Sequence, residues 1–285
     1  MQNNKLGKGS EKNIASPDKN KTSRERPTLS KWGEGVLFPL MVLYALTIFS
    51  QLVSLAFGRV NEDLSFISIV LPSIIFLSII TIPSAGIGLV LGLKVGLGAP
   101  LLKGLLTGDS KSYRKLARDA GLAFGLGVVL GGLLLLIRHI SASSLPPEIL
   151  PYGYRGVIGG LAVSFGAAVG EEVWFRLGLM TVIVWCVVRL LGHRKTSPIV
   201  VWPVIVLTSV LFGMAHLPQL ISYGAAFPFA IGATILGNTA VGILYGWCYW
   251  KRSLVSAMVA HFVVDIMIHV LPAFMPTLWA LIRNL

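Results

Sequence analysis

Long stretches of this chain contain no Asp, Glu, Lys or Arg: Val36–Phe57, Leu64–Leu93, Gly121–Ile137, Ile199–Ala215 and Leu217–Trp250. A bilayer's hydrocarbon core, about 30 Å thick, is crossed by roughly 20 helical residues. A helix on the surface of a soluble domain shows charges every turn or two on its outer face, and these stretches show none. Only 13% of the residues are charged, against about 25% in a soluble domain. The pattern predicts an all-α, polytopic integral membrane helical bundle in the cell membrane.

Lys and Arg number 24 against 12 acids. The basic residues sit beside the apolar runs, as retention on the cytoplasmic side requires, and this placement excludes a nucleic-acid partner in favour of membrane lipids. Cys186 and Cys248 both lie inside apolar runs, with no disulfide or zinc-knuckle spacing.

Three regions follow along the chain. Residues 1–35 form a basic polar tail, expected to be disordered and cytoplasmic. Residues 36–155 hold the N-terminal spans and a basic connector, 94–119, with Lys94, Lys103, Lys111, Arg114, Lys115 and Arg118. Pro72 and Pro83 predict kinks or a break in the second span. Residues 156–285 form the third region, which ends in "MPTLWALIRNL", a candidate interfacial helix. Gly156–Leu191 is too long for one perpendicular crossing, so it is either one bent helix or two shorter ones meeting near Arg176. The total is seven or eight spans. With seven and the N-terminus inside, the tail, 94–118, 192–198 and 251–252 share one side, while Arg59, Arg138 and Arg155 take the other.

An ionisable residue in mid-span costs about 2.5–3.5 kcal/mol even on the lenient scale, so it faces a bundle interior or wet cavity. Three places carry such residues: "EEVWFR" with Glu171, Glu172 and Arg176; "FGMAH" ending in His216; and "HFVVDIMIH" with His261, Asp265 and His269. Glu172 and Arg176 are four apart and share a helix face. Glu171 points about 100° away from Glu172, free to meet another helix. His261 and Asp265 are also four apart, so the carboxylate can orient the imidazole. Plainer roles stand beside these: interhelical glue for Glu172 with Arg176, an interfacial anchor for His216, a structural role for His269, and packing for Phe212 and Trp174. Together, a carboxylate, two histidines and a second carboxylate in apolar helices suit the activation of water. In that toolkit Glu serves as general base, and His polarises a carbonyl, holds water or ligates a divalent metal.

"EEVWFR" (EExxxR), "FGMAH" (FxxxH) and "HFVVD" (HxxxN/D) occur in this order within late hydrophobic segments. In this the chain resembles the CPBP family of intramembrane proteases, also called the Abi or CAAX-protease family, which includes the Rce1-type CAAX processing enzyme. The likeness covers about 120 residues, Gly156 to Pro272. It implies Glu171 as the water-activating base helped by His216, Glu172 as support, and Arg176 holding Glu172. It also implies His261 and Asp265 as oxyanion-stabilising residues or, in a metal reading, Glu171, His216, His261 and Asp265 as ligands of zinc or another divalent ion. CAAX-processing members typically carry Asn where this chain has Asp265. An ionised carboxylate repels an oxyanion, so Asp265 is expected to orient His261 or bind a cation.

The resemblance therefore implies a membrane endopeptidase acting on a membrane-anchored or membrane-associated peptide, prenylated by analogy. The alternatives are a non-catalytic immunity or scaffold protein of the same fold, and a transporter using these residues as a proton or ion relay. Along straight helices, His216 and His261 differ by some 13 Å in depth, so tilts or a kink at Pro203 must bring them level.

Overall fold

The structure is a computed structural model that describes residues 29–58, 65–141, 144–145, 148–150, 153–192 and 196–274. Most of the expected tail, Arg59 and the C-terminal candidate helix lie outside the described residues. The described chain forms helices α1 (Leu29–Phe57), α2 (Phe66–Val95), α3 (Pro100–Leu106) and α4 (Ser110–Ile140). These are followed by α5 (Gly156–Glu171), a π-helical stretch (Glu172–Met180), α6 (Thr181–Leu190), α7 (Pro198–Ala215) and α8 (Leu217–Ser222). Then come α9 (Pro228–Lys251), α10 (Leu254–Asp265) and a π turn (Ile266–Val270). Seven segments are long and apolar enough to cross a membrane, and Gly156–Leu190 counts as one of them. The alternative of two helices meeting near Arg176 is therefore resolved in favour of a single helix that changes winding.

The exterior is apolar. Ile67, Val129, Leu190, Ile199 and Leu236 are all largely exposed, the opposite of a soluble surface and the arrangement lipid requires. The interior instead holds Arg176, Glu172, Tyr245, Phe212 and His261.

Local sequence explains most of the helix ends. Pro198 and Pro228 open α7 and α9 at the first turn, where the missing N–H costs nothing. Asp109 caps α4 by accepting from the Lys111 and Ser112 amides at 3.2 and 3.1 Å. The Ser112 hydroxyl and those amides hold its carboxyl below the usual range. This cap starts α4 eleven residues before the apolar run at Gly121, inside the expected connector. Gly96, at φ 71°, closes α2 in the left-handed conformation. Pro72 and Pro83 do not break α2, which is one helix from Phe66 to Val95. Membrane helices accommodate interior prolines where neighbours and local adjustments satisfy the freed carbonyls.

Close contacts run α1 against α5, α4 against α10, α7 against α9, and α2 against the π stretch. Glycine allows two of these approaches. A Cβ at Gly242 would meet the Ser209 Cβ at 2.9 Å, and one at Gly88 would strike the Leu177 carbonyl. Thr239 reaches across to the Ser209 carbonyl at 3.5 Å, while Asn238 bonds only within its own helix.

Cross-helix bonds define two ends. At one, Arg155 donates to the Gly58 carbonyl and the Tyr154 and Tyr223 hydroxyls meet. At the other, Thr196 donates to the Val95 carbonyl, Tyr249 accepts from the Gly98 amide, and Arg252 reaches Asp119. Lys115 and Arg118 also pair with Asp119, which is fully buried. The protein is a multi-pass membrane protein.

Candidate active site

The site is built where α5 passes into π-helical winding. A π turn adds a residue per turn, and such turns recur at functional sites. Here Thr181 steadies the widened stretch by donating to the Arg176 carbonyl, five residues back, at 3.1 Å. Neighbouring helices pin the same segment. Gln51 of α1 donates to the Gly166 carbonyl at 2.7 Å, and the Trp174 indole donates to Thr81 of α2 at 2.9 Å.

Glu172 is fully buried and held from two sides. His261 Nδ1 donates to its Oε1 at 2.8 Å, and Arg176 Nε lies 3.3 Å from its Oε2. Arg176 also donates to the Gly242 carbonyl at 3.3 Å. Its guanidinium lies over the Phe212 and Tyr245 rings, 4.7 and 5.4 Å from their centroids. Such cation–π contacts favour a cation kept from water.

With Nδ1 committed to Glu172, the other nitrogen of His261 faces two carboxylates. Nε2 lies 3.7 Å from Glu171 Oε2 and 3.7 Å from Asp265 Oδ2. Both distances exceed a hydrogen bond. Glu171 Oε2 is a buried atom with no hydrogen-bond partner among the described residues, yet the Glu171 side chain as a whole is 24% exposed, the most open carboxylate of the three. The two glutamates thus differ in setting: Glu172 is fully buried with two close basic partners, and Glu171 is the more open with one at 3.7 Å.

Glu171, Glu172, Arg176, His261 and Asp265 converge. His216 joins them only indirectly. It sits just past the end of α7, where its Nδ1–H donates to the Phe212 carbonyl at 2.8 Å, leaving Nε2 uncommitted. The Phe212 ring meets both imidazoles edge-on, with centroids 4.8 Å from His216 and 6.0 Å from His261. One phenyl ring thus contacts both histidines. His216 makes no ion pair with Glu171, and His269 makes none with any of these groups.

Of the proposed metal ligands, Glu171 and Asp265 each lie 3.7 Å from His261 Nε2, and His216 forms no ion pair with them. Among the described residues, no three His, Cys, Asp or Glu side chains form a group that could hold a metal ion. The Nδ1–H bond to Glu172 leaves Nε2 as the free nitrogen of His261, the arrangement common to metal-bound imidazoles, and the Phe212 ring contacts both His216 and His261.

Tyr245 was not legible as a site residue. Its ring stacks on His261 at 4.4 Å and 14° between planes. In sequence it is one aromatic in an apolar run, and only the fold brings it beside His261. Phe212, read from sequence as packing, turns out to organise both histidines.

A cavity of about 790 Å³ lies between α1, α2 and α5. Arg155, Tyr154 and Tyr223 line one end, and burial raises the Tyr154 phenol to about 12, keeping it a neutral donor. At its other end Gln51 packs against Gly170, the residue before Glu171. The five converging side chains do not line it, so it adjoins the chemical centre without containing it.

Residues 154–267 match the family model described as Type II CAAX prenyl endopeptidase Rce1-like. No curated protein and no solved structure matches the chain. The matched segment contains Glu171, Glu172, Arg176, His216, His261 and Asp265 together with Phe212 and Tyr245, and ends before His269. Over residues 154–267 the chain is therefore similar to the Rce1-like type II CAAX prenyl endopeptidases.

Proposed function

We propose that the protein is an intramembrane endopeptidase in which Glu171 activates water to cleave a peptide bond near the carboxyl terminus of a prenylated, membrane-anchored substrate. The observation that carries this reading is the contrast between the two adjacent glutamates. Glu172 is fully buried between Arg176 at 3.3 Å and a hydrogen bond from His261, whereas Glu171 is 24% exposed and its nearest basic partner is His261 Nε2 at 3.7 Å.

In the reaction, Glu171 takes a proton from water as the water oxygen bonds to the substrate carbonyl carbon. The carbonyl π pair moves to oxygen and forms an oxyanion. As the C–N bond breaks, Glu171 returns the proton to the leaving nitrogen, giving a new carboxyl terminus and a free amine. His261, fixed through Nδ1, presents Nε2 to this space. His216, fixed by the Phe212 carbonyl, offers Nε2 to the incoming water. The prenyl part of the substrate rests on the family description, and its hydrocarbon would lie in the surrounding lipid. The basic end of the bundle, with Lys94, Lys103, Lys111, Lys115, Arg118 and Lys251, is assigned to the cytoplasm.

The test is cleavage of farnesylated CAAX-type peptides by the purified full chain in proteoliposomes. Wild type is expected to release the terminal tripeptide and Glu171→Gln is not. Equal cleavage by both proteins overturns the reading.

A further inference from the structure

The Tyr245 side chain is fully buried, and its hydroxyl has no hydrogen-bond partner among the described residues. An unsatisfied buried hydroxyl costs about 1–3 kcal/mol, so its retention calls for a function. The phenol is held firmly in place. Its ring is stacked on His261, edge-on to Phe212 at 6.4 Å, and beneath the Arg176 guanidinium. Its ring partner, His261, points Nε2 toward Glu171 and Asp265, where the proposed reaction takes place.

We propose that Tyr245 is a further catalytic residue, whose hydroxyl donates a hydrogen bond to the oxyanion formed at the scissile carbonyl. The proposal rests on the endopeptidase reading above. Its chemical logic starts from Asp265. An ionised carboxylate offers no donor to an oxyanion, so a site with Asp at this position must find a neutral donor elsewhere. A phenol supplies one, and a fixed phenol supplies it without reorganisation. The Tyr245 O–H stays intact throughout. Its hydrogen bond strengthens as negative charge grows on the carbonyl oxygen and weakens as the C–N bond breaks.

Tyr245→Phe isolates the hydroxyl, because the ring and its stack on His261 remain. With a farnesylated CAAX-type peptide, kcat is expected to fall about 10²-fold, the scale of losing one oxyanion donor, while KM stays within twofold. A peptide aldehyde of the same sequence, whose hydrate mimics the tetrahedral intermediate, is expected to bind Y245F weaker by a similar factor. The uncleaved peptide acid should bind both proteins alike. The melting temperature is expected to hold or rise, since an unsatisfied polar group has been removed. A purely structural Tyr245 would instead lower the melting temperature and leave the aldehyde's affinity unchanged.

Y245F turnover within threefold of wild type overturns the proposal, and so does a rate loss with unaltered aldehyde binding. If wild type cleaves no prenylated peptide, the endopeptidase reading fails and this proposal falls with it. If wild type cleaves and Y245F matches it, only the role of Tyr245 is lost.

Discussion

Two clusters of buried carboxylate lie in this molecule, and they are balanced in opposite ways. At the basic end, Asp119 stands alone among Lys115, Arg118 and Arg252. In the middle of the long helix, Glu171, Glu172 and Asp265 gather around Arg176 and His261. The first has more cations than it needs, and its cations are 41%, 71% and 31% exposed, open to water. The second has more carboxylates than basic groups, and both of those basic groups, Arg176 and His261, are buried. A cluster saturated with opposite charge joins helices, here α4 to the junction of α9 and α10. A cluster left short of positive charge is costly to fold, and such sites are typically retained for chemistry.

Glu171→Gln gives the sharpest test of this difference. It removes the base and leaves the carbonyl, so cleavage of a prenylated peptide is expected to drop roughly 10³-fold or more, with a melting temperature at or above that of wild type. Any comparable loss from a substitution at Asp119, measured per folded molecule, would break the distinction. Next in size is Arg176→Ala. It leaves Glu172 buried with His261 alone, and truncating one member of a buried pair costs about 3–5 kcal/mol. The expected outcome is a large fall in melting temperature in detergent together with lost activity. A fully stable R176A would mean that Glu172 does not need the pairing.

The first cluster escaped the sequence for a physical reason. Asp119 follows Lys111, Arg114, Lys115 and Arg118, and a carboxylate in a basic run looks like one more surface charge. It is buried because α4 begins at its Asp109 cap, well ahead of the apolar stretch, which brings Asp119 against α10. The spans were legible because an uncharged run of bilayer length has few other uses. The pairs Glu172–Arg176 and His261–Asp265 were legible because spacing of four sets a common face. The bond from Glu172 to His261 links residues 89 apart, and no periodicity reports it. Nor does periodicity report the π winding, since the same residues would equally form an α-helix. Tyr245 shares that blindness: an aromatic in an apolar run shows nothing of the imidazole it will meet.

The finest comparison applies one chemical change to both clusters. Asp119→Asn removes the only anion from a group of cations, so stability is expected to fall by about 1–2 kcal/mol, moderated because its partners reach solvent. Cleavage per folded molecule should stay unchanged. Asp265→Asn removes one of three carboxylates from a group short of positive charge. Here the same substitution is expected to leave stability equal or higher. Asn also keeps an acceptor for His261 and gains an N–H that can meet an oxyanion, so turnover is expected within about threefold of wild type, on either side. The pair of melting curves therefore moves apart, one down and one level or up. If D265N instead loses more than about tenfold in turnover while staying folded, the negative charge itself is required, which would make Asp265 the partner that keeps His261 in its working form. If both variants lose stability equally, the two clusters are alike in balance, and an excess of carboxylate no longer distinguishes a reactive site from a structural one.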